Sequence, residues 1–415
     1  MRFLITALGS YGDVFPMVAL GSVLRSRGHQ VSLVTNPHFQ RVVECAGIEF
    51  VPIGTAAEYD ELAHHPDLWH PLRGPLLVVR TSFADSLRDL YDTISANVEQ
   101  GETILVAHCL DLASRIYQEK HNTPLASVHF APIALRSFHQ TPQMFGMLMQ
   151  RWIPGFLRRC QFWLADKMID HLVATEINSL RSELGLAPVK RIMHKWYFSP
   201  QLVLGLFPDW FAPPQPDWPP QTRLTGFPLW DQSSQQSLST DVQQFLQTGD
   251  PPIVFAPGSA MTAGDKIFAA AVEACQRLNR RGILLTKYPD QLPAELPASI
   301  KHCHFVPMSS LLPHCSALVH HGGIGTSSQG LAAGLPQIVM PMAYDQLDNA
   351  LRLKNLGVAD ILRPNRFTGS NLADRLGQLL GNPRVREKCS YWAGEFDTPA
   401  AMSASCDALE QLAGA

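Results

Sequence analysis

The chain has 415 residues, a formal net charge of −3, 46% hydrophobic residues and eight cysteines. This length predicts two domains of ordinary size. The small net charge gives no reason to expect nucleic acid as a partner. The cysteines are scattered without a CxxC pair, which indicates reduced thiols in a cytoplasmic protein. No apolar window approaches the length of about 18 residues that a transmembrane helix needs, and the apolar N-terminus is too short for a signal peptide.

Short apolar runs alternate with helical spacings through the first 130 residues. Strands are predicted at 2–8, 31–35, 48–53, 103–107 and 124–129, and helices at 17–27, 40–46 and 110–120. Residues 9–16 are predicted to form a turn between the first strand and the first helix. The alternation predicts an α/β fold with a parallel, doubly wound sheet, which binds ligands at the carboxyl ends of its strands.

Residues 139–185 differ in character, being rich in Met, Phe, Trp and Leu with interspersed Arg and Lys. We expect helices that wall an apolar cleft, since Met-rich surfaces adapt to apolar ligands. Plain helix packing, with basic side chains stretched along the surface, explains the same composition.

A proline-rich stretch at 207–220 cannot hold a regular helix or a central strand, and it marks a domain boundary. A second alternating set follows it. Strands are predicted at 252–256, 282–286, 304–306, 317–320 and 336–341, and helices at 267–278, 327–333, 347–356 and about 384–415. Two similar βα domains joined by this linker are predicted to leave a cleft between them.

The stretch from Ala317 to Gln329 has the pattern of a ligand-binding turn. An apolar run ends in His320 and His321, a glycine-rich turn follows, and a Thr-Ser-Ser run from Thr326 can start a helix. The glycines let the backbone come close to a ligand, and the free N–H groups of a first helical turn favour an anion. An ordinary βα turn is the alternative.

Histidines and cysteines crowd residues 302–321, which raises the question of a zinc site. Their spacing fits no familiar zinc pattern, and strand alternation sends neighbouring side chains to opposite faces. We therefore expect no metal.

Several motifs resemble the family 1 glycosyltransferases of GT-B fold. They are Gly258-Ser259, Phe305-Val306-Pro307, the His-Gly-Gly-Ile-Gly-Thr run at 321–326 and the run at 341–349. The N-terminal Gly-Ser-x-Gly-Asp-Val-x-Pro, with a helix ending Arg-Gly-His-x-Val, resembles the bacterial and sterol-glycosylating branch of that family. The likeness covers the whole chain. Within the family, the segments 176–178, 188–192, 207–215 and 225–229 are similar to the rhamnosyltransferases of rhamnolipid synthesis.

The resemblance implies a GT-B fold, with two Rossmann-like, doubly wound parallel-sheet domains facing a central cleft. Residues 1–228 would bind the acceptor, with 139–185 as a helical insertion at the acceptor site. Residues 229–385 would bind the nucleotide-sugar, and helices in 386–415 would pack back on the N-terminal domain. The implied reaction inverts the anomeric carbon.

Donor-binding residues follow from the resemblance. They are Ser10, Gly12, Gly258, Ser259, Phe305, Val306, His321, Gly323, Gly325, Thr326, Gln329, Asp345 and Gln346. A helix N-terminus and a hydroxyl group could stabilise the diphosphate in place of a metal. Gln329 stands where many relatives carry a glutamate on the ribose hydroxyls, which is compatible with a deoxyribose nucleotide.

Three of these roles have plain structural alternatives. Phe305 would stack on the base, or it is a buried strand residue. Asp345 and Gln346 would bond sugar hydroxyls, or they cap the next helix.

The catalytic base is where the chain departs from many relatives, which carry a histidine in the first turn and an aspartate after a later strand. Here the two types are exchanged, with Asp13 in the turn and His108 after the strand. Asp13 is the predicted base, acting through positioning, and His108 would orient it. A helix N-cap for Asp13 and simple packing for His108 are the alternatives. The predicted acceptor-binding residues are Phe15, Met144, Met147 and Trp152.

Together these features predict a cytoplasmic glycosyltransferase, free or at the inner face of the membrane. By resemblance it moves L-rhamnose from dTDP-rhamnose to a lipophilic acceptor such as a 3-(3-hydroxyalkanoyloxy)alkanoate, and a partner subunit could supply that acceptor. One alternative is a UDP-glucose-dependent transferase acting on lipids, sterols or aromatic metabolites. Another is a catalytically silent GT-B protein that binds nucleotide-sugar or lipid as a partner subunit.

Overall fold

Two parallel β-sheets organise the chain, each in a unit of its own. A computed structural model describes the chain except for residues 151, 232–236, 259–260, 262–263 and 415 and the side chains of 195, 413 and 414. The first unit comprises Met1–Pro228 and Asp397–Ala415, and the second comprises Leu229–Phe396.

The first unit contains a seven-stranded sheet of order β3-β2-β1-β4-β5-β6-β7, in which every neighbouring pair is parallel. Its strands are β1 Arg2–Thr6, β2 Gln30–Thr35, β3 Glu49–Pro52, β4 Thr103–His108, β5 Leu125–His129, β6 Leu202–Gly205 and β7 Thr222–Leu224. Its helices are α1 Tyr11–Ser26, α2 Gln40–Cys45, α3 Ala56–Ala63, α4 Arg73–Arg80, α5 Leu87–Asn97, α6 Ala113–His121 and α7 Gly155–Glu183, with α15 Thr398–Glu410 from the end of the chain.

The second unit contains a six-stranded parallel sheet of order β10-β9-β8-β11-β12-β13. Its strands are β8 Ile253–Ala256, β9 Gly282–Leu285, β10 Ile300–Cys303, β11 Ala317–His320, β12 Gln337–Val339 and β13 Ala359–Ile361. Its helices are α8 Thr240–Gln247, α9 Asp265–Leu278, α10 Met308–Leu311, α11 Ile324–Ala332, α12 Gln346–Leu356, α13 Gly369–Gly381 and α14 Pro383–Gly394. Two Rossmann-like parallel-sheet domains confirm the predicted fold class.

One predicted strand was misplaced. The sequence predicts a strand at 304–306, whereas β10 covers Ile300–Cys303 and ends before Phe305. β10 is the edge strand of its sheet, so Lys301 and His302 remain half-exposed and give the strand a polar sequence. Phe305 is 41% exposed, so it is not the buried strand residue of the structural alternative.

Two helix boundaries also differ from the prediction. α1 begins at Tyr11, inside the predicted 9–16 turn, because the Ser10 side chain caps it, and Pro16 lies inside the helix. The 139–185 segment is a loop followed by the single 29-residue helix α7, which begins directly after Pro154.

The last two helices belong to different units. α14 packs on α11 within the second unit, so the change of unit falls at Asp397 rather than at residue 386. α15 packs on α1 within the first unit, where Arg27 donates to Asp407 and Glu410 at 2.6 and 2.9 Å. In the described part of the chain, no helix is long and apolar enough to cross a bilayer.

Candidate active site

In the first unit, the amino end of α1 carries the predicted base. Asp13 completes a capping box with Ser10, because its Oδ2 accepts the Ser10 backbone N–H at 2.7 Å and the Ser10 hydroxyl at 3.0 Å. Its Oδ1 lies 3.3 Å from Nε2 of His108. The Asp13 side chain is 30% exposed, whereas that of His108 is buried. Asp13 is therefore both a helix cap and the open member of a carboxylate–imidazole pair.

The hydrogen bonds of His108 fix which ring nitrogen faces Asp13. The backbone N–H of Leu110 donates to Nδ1 at 3.2 Å, so we assign the ring hydrogen to Nε2, which donates to Asp13. Burial disfavours the charged ring, but Cys109 and Asp13 outweigh it and raise the pKa of His108 to about 10. The hydrogen bond from the Leu110 N–H opposes protonation of the ring, because a protonated Nδ1 cannot accept a hydrogen bond. In either state Nε2 carries a hydrogen that faces Oδ1 of Asp13.

Buried polar groups that the sequence analysis did not single out hold this strand end in place. The Thr6 hydroxyl donates to Asp111 at 2.8 Å and accepts the His108 backbone N–H at 3.0 Å. Ser114 donates its backbone N–H and its hydroxyl to the same carboxylate, at 2.9 and 2.5 Å. Burial raises the pKa of Asp111. The Asp-x-x-Ser spacing of a helix cap after the strand is the sequence signal that could have found this network.

His129 is a second residue that sequence reasoning missed. It ends β5, next to β4, and is fully buried against the rings of Tyr197 and Phe198. Neither ring nitrogen has a hydrogen-bond partner among the described residues. Burial lowers the pKa of His129 to about 3, so the ring is neutral at physiological pH. The only sequence signal for His129 is its position at the end of a predicted strand, like that of His108 at the end of the strand before it.

In the second unit, the loop from β11 to α11 forms a glycine-lined turn around His321. A Cβ on Gly323 would lie 2.5 Å from His321 Nε2, and one on Gly322 would lie 2.8 Å from Val339. Gly258 has φ +120°, and a Cβ there would lie 3.4 Å from the same ring. Burial lowers the pKa of His321 to about 4, which leaves a neutral ring in the loop.

The amino end of α11 is open. No side chain caps the helix at Gly323. Gly325 is exposed, and a Cβ there would meet nothing within 4 Å. Thr326 is half-exposed in the same turn, and Gln329 follows it one turn later. The first-turn N–H groups and the hydroxyl can therefore receive an anion.

His320, directly before this loop, joins three elements. Its Nδ1 accepts the Gly322 backbone N–H at 3.1 Å, and its Nε2 donates to Oε1 of Gln337 in β12 at 2.9 Å. Burial lowers the pKa of His320 to about 3, so the neutral ring can accept at one nitrogen and donate at the other. The sequence marks His320 only as the end of an apolar run, and it is not among the predicted site residues.

Asp345 and Gln346, at the start of α12, lie against the same loop. The Gln346 side chain is 2% exposed, and its Oε1 accepts the backbone N–H groups of Met342 and Ala343 at 2.8 and 3.1 Å. Asp345 Oδ2 accepts from Asn349, whose amide also donates to the Gly322 carbonyl at 2.9 Å. Gln346 therefore shapes the turn, while Asp345 is the more accessible of the two.

The remaining predicted donor-binding residues are distributed along both units. Phe305 is exposed just beyond the carboxyl end of β10, and Val306 beside it is buried. Gly12 is exposed in the first turn of α1, where its N–H donates to the Ser10 hydroxyl at 3.3 Å. Ser259 lies outside the described residues.

The four predicted acceptor-binding residues come from two places in the first unit. Phe15 lies in α1 with its ring edge against Tyr11. Met144 and Met147 are half-buried in the loop before α7, and Trp152 in the same loop is 77% exposed. Among the described residues, no group of three or more His, Cys, Asp or Glu side chains could hold a metal ion.

Comparison with known proteins gives matches over both units. Residues 3–106 match the glycosyltransferase family 28 N-terminal domain, and residues 283–407 match the C-terminal domain of erythromycin biosynthesis protein CIII-like proteins. The chain is 30% identical over 371 residues to the O-mycaminosyltylonolide 6-deoxyallosyltransferase of Streptomyces fradiae, covering 86% of this chain and 85% of that protein.

Solved structures share the fold over the full length. A glycosyltransferase of kitacinnamycin superposes with a TM-score of 0.76 at 18% identity, covering 99% of this chain and 98% of the other. The spinosyn rhamnosyltransferase SpnG, complexed with thymidine diphosphate, superposes with a TM-score of 0.69 at 17% identity, covering 98% and 100%.

Proposed function

Because this protein belongs to the GT-B nucleotide-sugar glycosyltransferases, we propose that it transfers a deoxyhexose from a thymidine diphosphate donor to a hydroxyl group of an apolar acceptor. Rhamnose is the first candidate sugar. The name of the Streptomyces fradiae relative and the nucleotide bound to SpnG support this donor class. Gln329, in place of a glutamate, is compatible with a deoxyribose. The apolar, half-buried side chains of Met144 and Met147 support an apolar acceptor.

The observation that carries the proposal is the open amino end of α11. Gly325 costs helix stability relative to alanine, and no packing contact requires it, since a Cβ there would meet nothing within 4 Å. The residue keeps a space clear above uncapped N–H groups, next to the neutral His321 ring. These donors would stabilise the negative charge that grows on a departing diphosphate.

The proposed reaction is a single inverting displacement. The acceptor oxygen forms a bond to the anomeric carbon from the face opposite the diphosphate, and the bond from that carbon to the phosphate oxygen breaks. The hydroxyl proton passes to Oδ1 of Asp13, and the nucleoside diphosphate leaves with its charge held at the α11 turn. His108 keeps Asp13 aimed through its Nε2 hydrogen. No metal is needed in this scheme, because the helix terminus and Thr326 take its place.

The test compares turnover of dTDP-rhamnose and UDP-glucose by the unmutated protein and by Asp13→Asn, with medium-chain hydroxyalkanoyloxyalkanoates and macrolide aglycones as acceptors. We expect a preference for the thymidine donor and a fall in kcat of about 10²–10⁴-fold in Asp13→Asn, as for loss of a general base. Thermal shifts with dTDP, UDP and GDP give the nucleotide preference independently of the acceptor.

Glu58→Gln is the matched control, because Glu58 forms the same capping box with Thr55 at the start of α3. Glu58→Gln should lower the stability about as much as Asp13→Asn does, because each removes one cap charge, and it should leave kcat unchanged. Equal kcat in Asp13→Asn and the unmutated protein would remove Asp13 as the base. Nucleotide binding without turnover of any donor would favour a catalytically silent protein, and a preference for UDP would contradict the thymidine donor.

A further inference from the structure

Large apolar side chains are exposed over the start of α7 and the loop before it. Seven of the eleven exposed large apolar side chains in the described part of the chain lie between residues 148 and 168. They are Leu148, Trp152, Phe156, Leu157, Trp163, Leu164 and Met168, with exposed fractions from 42% to 77%. We call these seven residues the 148–168 apolar surface. A cluster of this kind marks an interaction site, whereas single exposed apolar residues do not.

The helical positions place this surface on one side of α7. Phe156, Trp163 and Leu164 recur at the seven- and eight-residue spacings of one helix face. The opposite face buries Phe162 and Val173 against the unit's interior. A helix at the surface of a soluble protein ordinarily turns a polar face to water. Over the first half of α7 the outer face instead exposes Phe156, Trp163 and Leu164, so this face needs a partner of its own.

The charges around this surface have one sign. Arg159 and Lys167 are exposed on the first half of α7, and the Lys167 ammonium lies over the Trp163 ring at 5.8 Å. The two carboxylates in this half are occupied, since Asp166 is buried in an ion pair and Asp170 accepts two backbone N–H groups. The partner is therefore apolar in its interior and negatively charged at its surface.

We propose that the 148–168 apolar surface docks the protein on an anionic lipid bilayer. α7 would lie in the plane of the interface, with its Trp, Phe and Leu side chains at the acyl boundary and its cations at the headgroup phosphates. A two-fold dimer over the same face fits less well, because it would bring Lys167 and Arg159 near their own copies. Under this proposal Trp152 contacts lipid rather than the acceptor. The proposal does not depend on the sugar donor or on turnover.

The test measures co-sedimentation of the full chain with liposomes of phosphatidylcholine and phosphatidylglycerol in equal parts, and with liposomes of phosphatidylcholine alone, without substrates. We expect binding to the mixed liposomes that falls with added salt. The double variant Phe156→Ser/Trp163→Ser and the double variant Arg159→Glu/Lys167→Glu should each weaken this binding at least about tenfold, or 1.4 kcal/mol.

The matched control is Lys388→Glu/Tyr391→Ser on α14, where Tyr391 is 55% exposed and Lys388 lies 5.8 Å above its ring. This variant should bind the mixed liposomes like the unmutated protein. All substituted side chains are exposed, so the melting temperatures should not change. An unchanged melting temperature shows that weaker liposome binding comes from the altered surface and not from unfolding. Three results would overturn the proposal: no liposome binding, binding that both surface variants retain, or a dimer in solution that the surface variants abolish.

Discussion

At the scale of single residues, Asp13 serves two purposes with two oxygen atoms. Oδ2 closes the capping box with Ser10, and Oδ1 faces His108. The alternatives that the sequence leaves open, a helix cap or a base, therefore do not exclude each other. A carboxylate at a helix N-terminus is stabilised by the helix dipole and by the cap hydrogen bonds, which helps to hold the partly exposed Asp13 in one orientation.

Gly325 has no packing contact that requires a glycine, since a Cβ there would meet nothing within 4 Å. Replacing it by alanine should stabilise the second unit by about 0.4–1 kcal/mol, because the alanine loses less backbone entropy and meets no neighbour. The added methyl group would stand in the space above the α11 N–H groups, so dTDP affinity should fall about tenfold, or 1.4 kcal/mol. Thermal unfolding and isothermal calorimetry measure the two effects.

Gly381→Ala provides the control for this trade-off, since Gly381 ends α13 and a Cβ there also meets nothing within 4 Å. It should leave dTDP affinity unchanged. Unaltered dTDP binding in Gly325→Ala would show that the space above α11 is not the diphosphate site.

At the scale of elements, the sequence predicted the strand–turn–helix alternation of both units, because central strands of a parallel sheet are continuous apolar runs. It failed where that signal is absent. β10 carries Lys301 and His302 at a sheet edge and was placed four residues too late. α11 begins at Ile324 rather than 327, because Gly323 starts the helix without a side-chain cap and the Thr-Ser-Ser run is already helical.

The functional positions were easier to find than their partners. His321 and Asp13 stand in local motifs that one stretch of sequence contains, so the residues themselves could be named. The contact of Asp13 with His108 joins α1 to β4 and was expected only through the family resemblance, whereas the contact of His320 with Gln337 joins β11 to β12 and was not expected. Such contacts depend on the order of the strands in the sheet, which a single amino-acid sequence does not specify.

His320 ends β11 and bonds both the Gly322 N–H, in the loop before α11, and the Gln337 side chain in β12. Two variants break these bonds separately. His320→Asn keeps an acceptor for the Gly322 N–H through an Asx turn but loses the bond to Gln337. His320→Gln can reach Gln337 but loses the bond to Gly322. Each should cost about 1–3 kcal/mol of stability, as for a broken buried hydrogen bond. Only His320→Gln should weaken dTDP binding markedly, because it alone releases the loop.

Calorimetric titration of dTDP into both variants distinguishes a loop-positioning role from a packing role. Equal loss of affinity in the two, at similar melting temperatures, would mean that the Gly322 hydrogen bond does not shape the nucleotide site.

At the scale of the whole molecule, each unit has its own buried core and its own set of predicted site residues. Asp13 and His108 lie in the first unit, and the α11 loop lies in the second. The chain returns to the first unit at its end, where α15 packs on α1. Binding of the nucleotide diphosphate at α11 and the stability of the first unit should therefore be separable.

α15 offers the test of this separation. Leu409 is fully buried in α15, so Leu409→Ala should destabilise the first unit by about 2–4 kcal/mol through lost burial and a residual cavity. The proposed diphosphate site at α11 lies in the second unit, so dTDP affinity should be nearly unchanged. Scanning calorimetry with and without dTDP should show one transition whose temperature the substitution lowers and another whose temperature dTDP raises. The ligand adds RT ln(1 + [L]/Kd) to the free energy of unfolding of the second unit.

The control is Arg27→Lys, which keeps a cation beside Asp407 and Glu410. It should lower the free energy of unfolding of the first unit by less than about 1 kcal/mol. A loss of dTDP affinity in Leu409→Ala, or a single transition moved equally by both changes, would mean that the two units unfold as one.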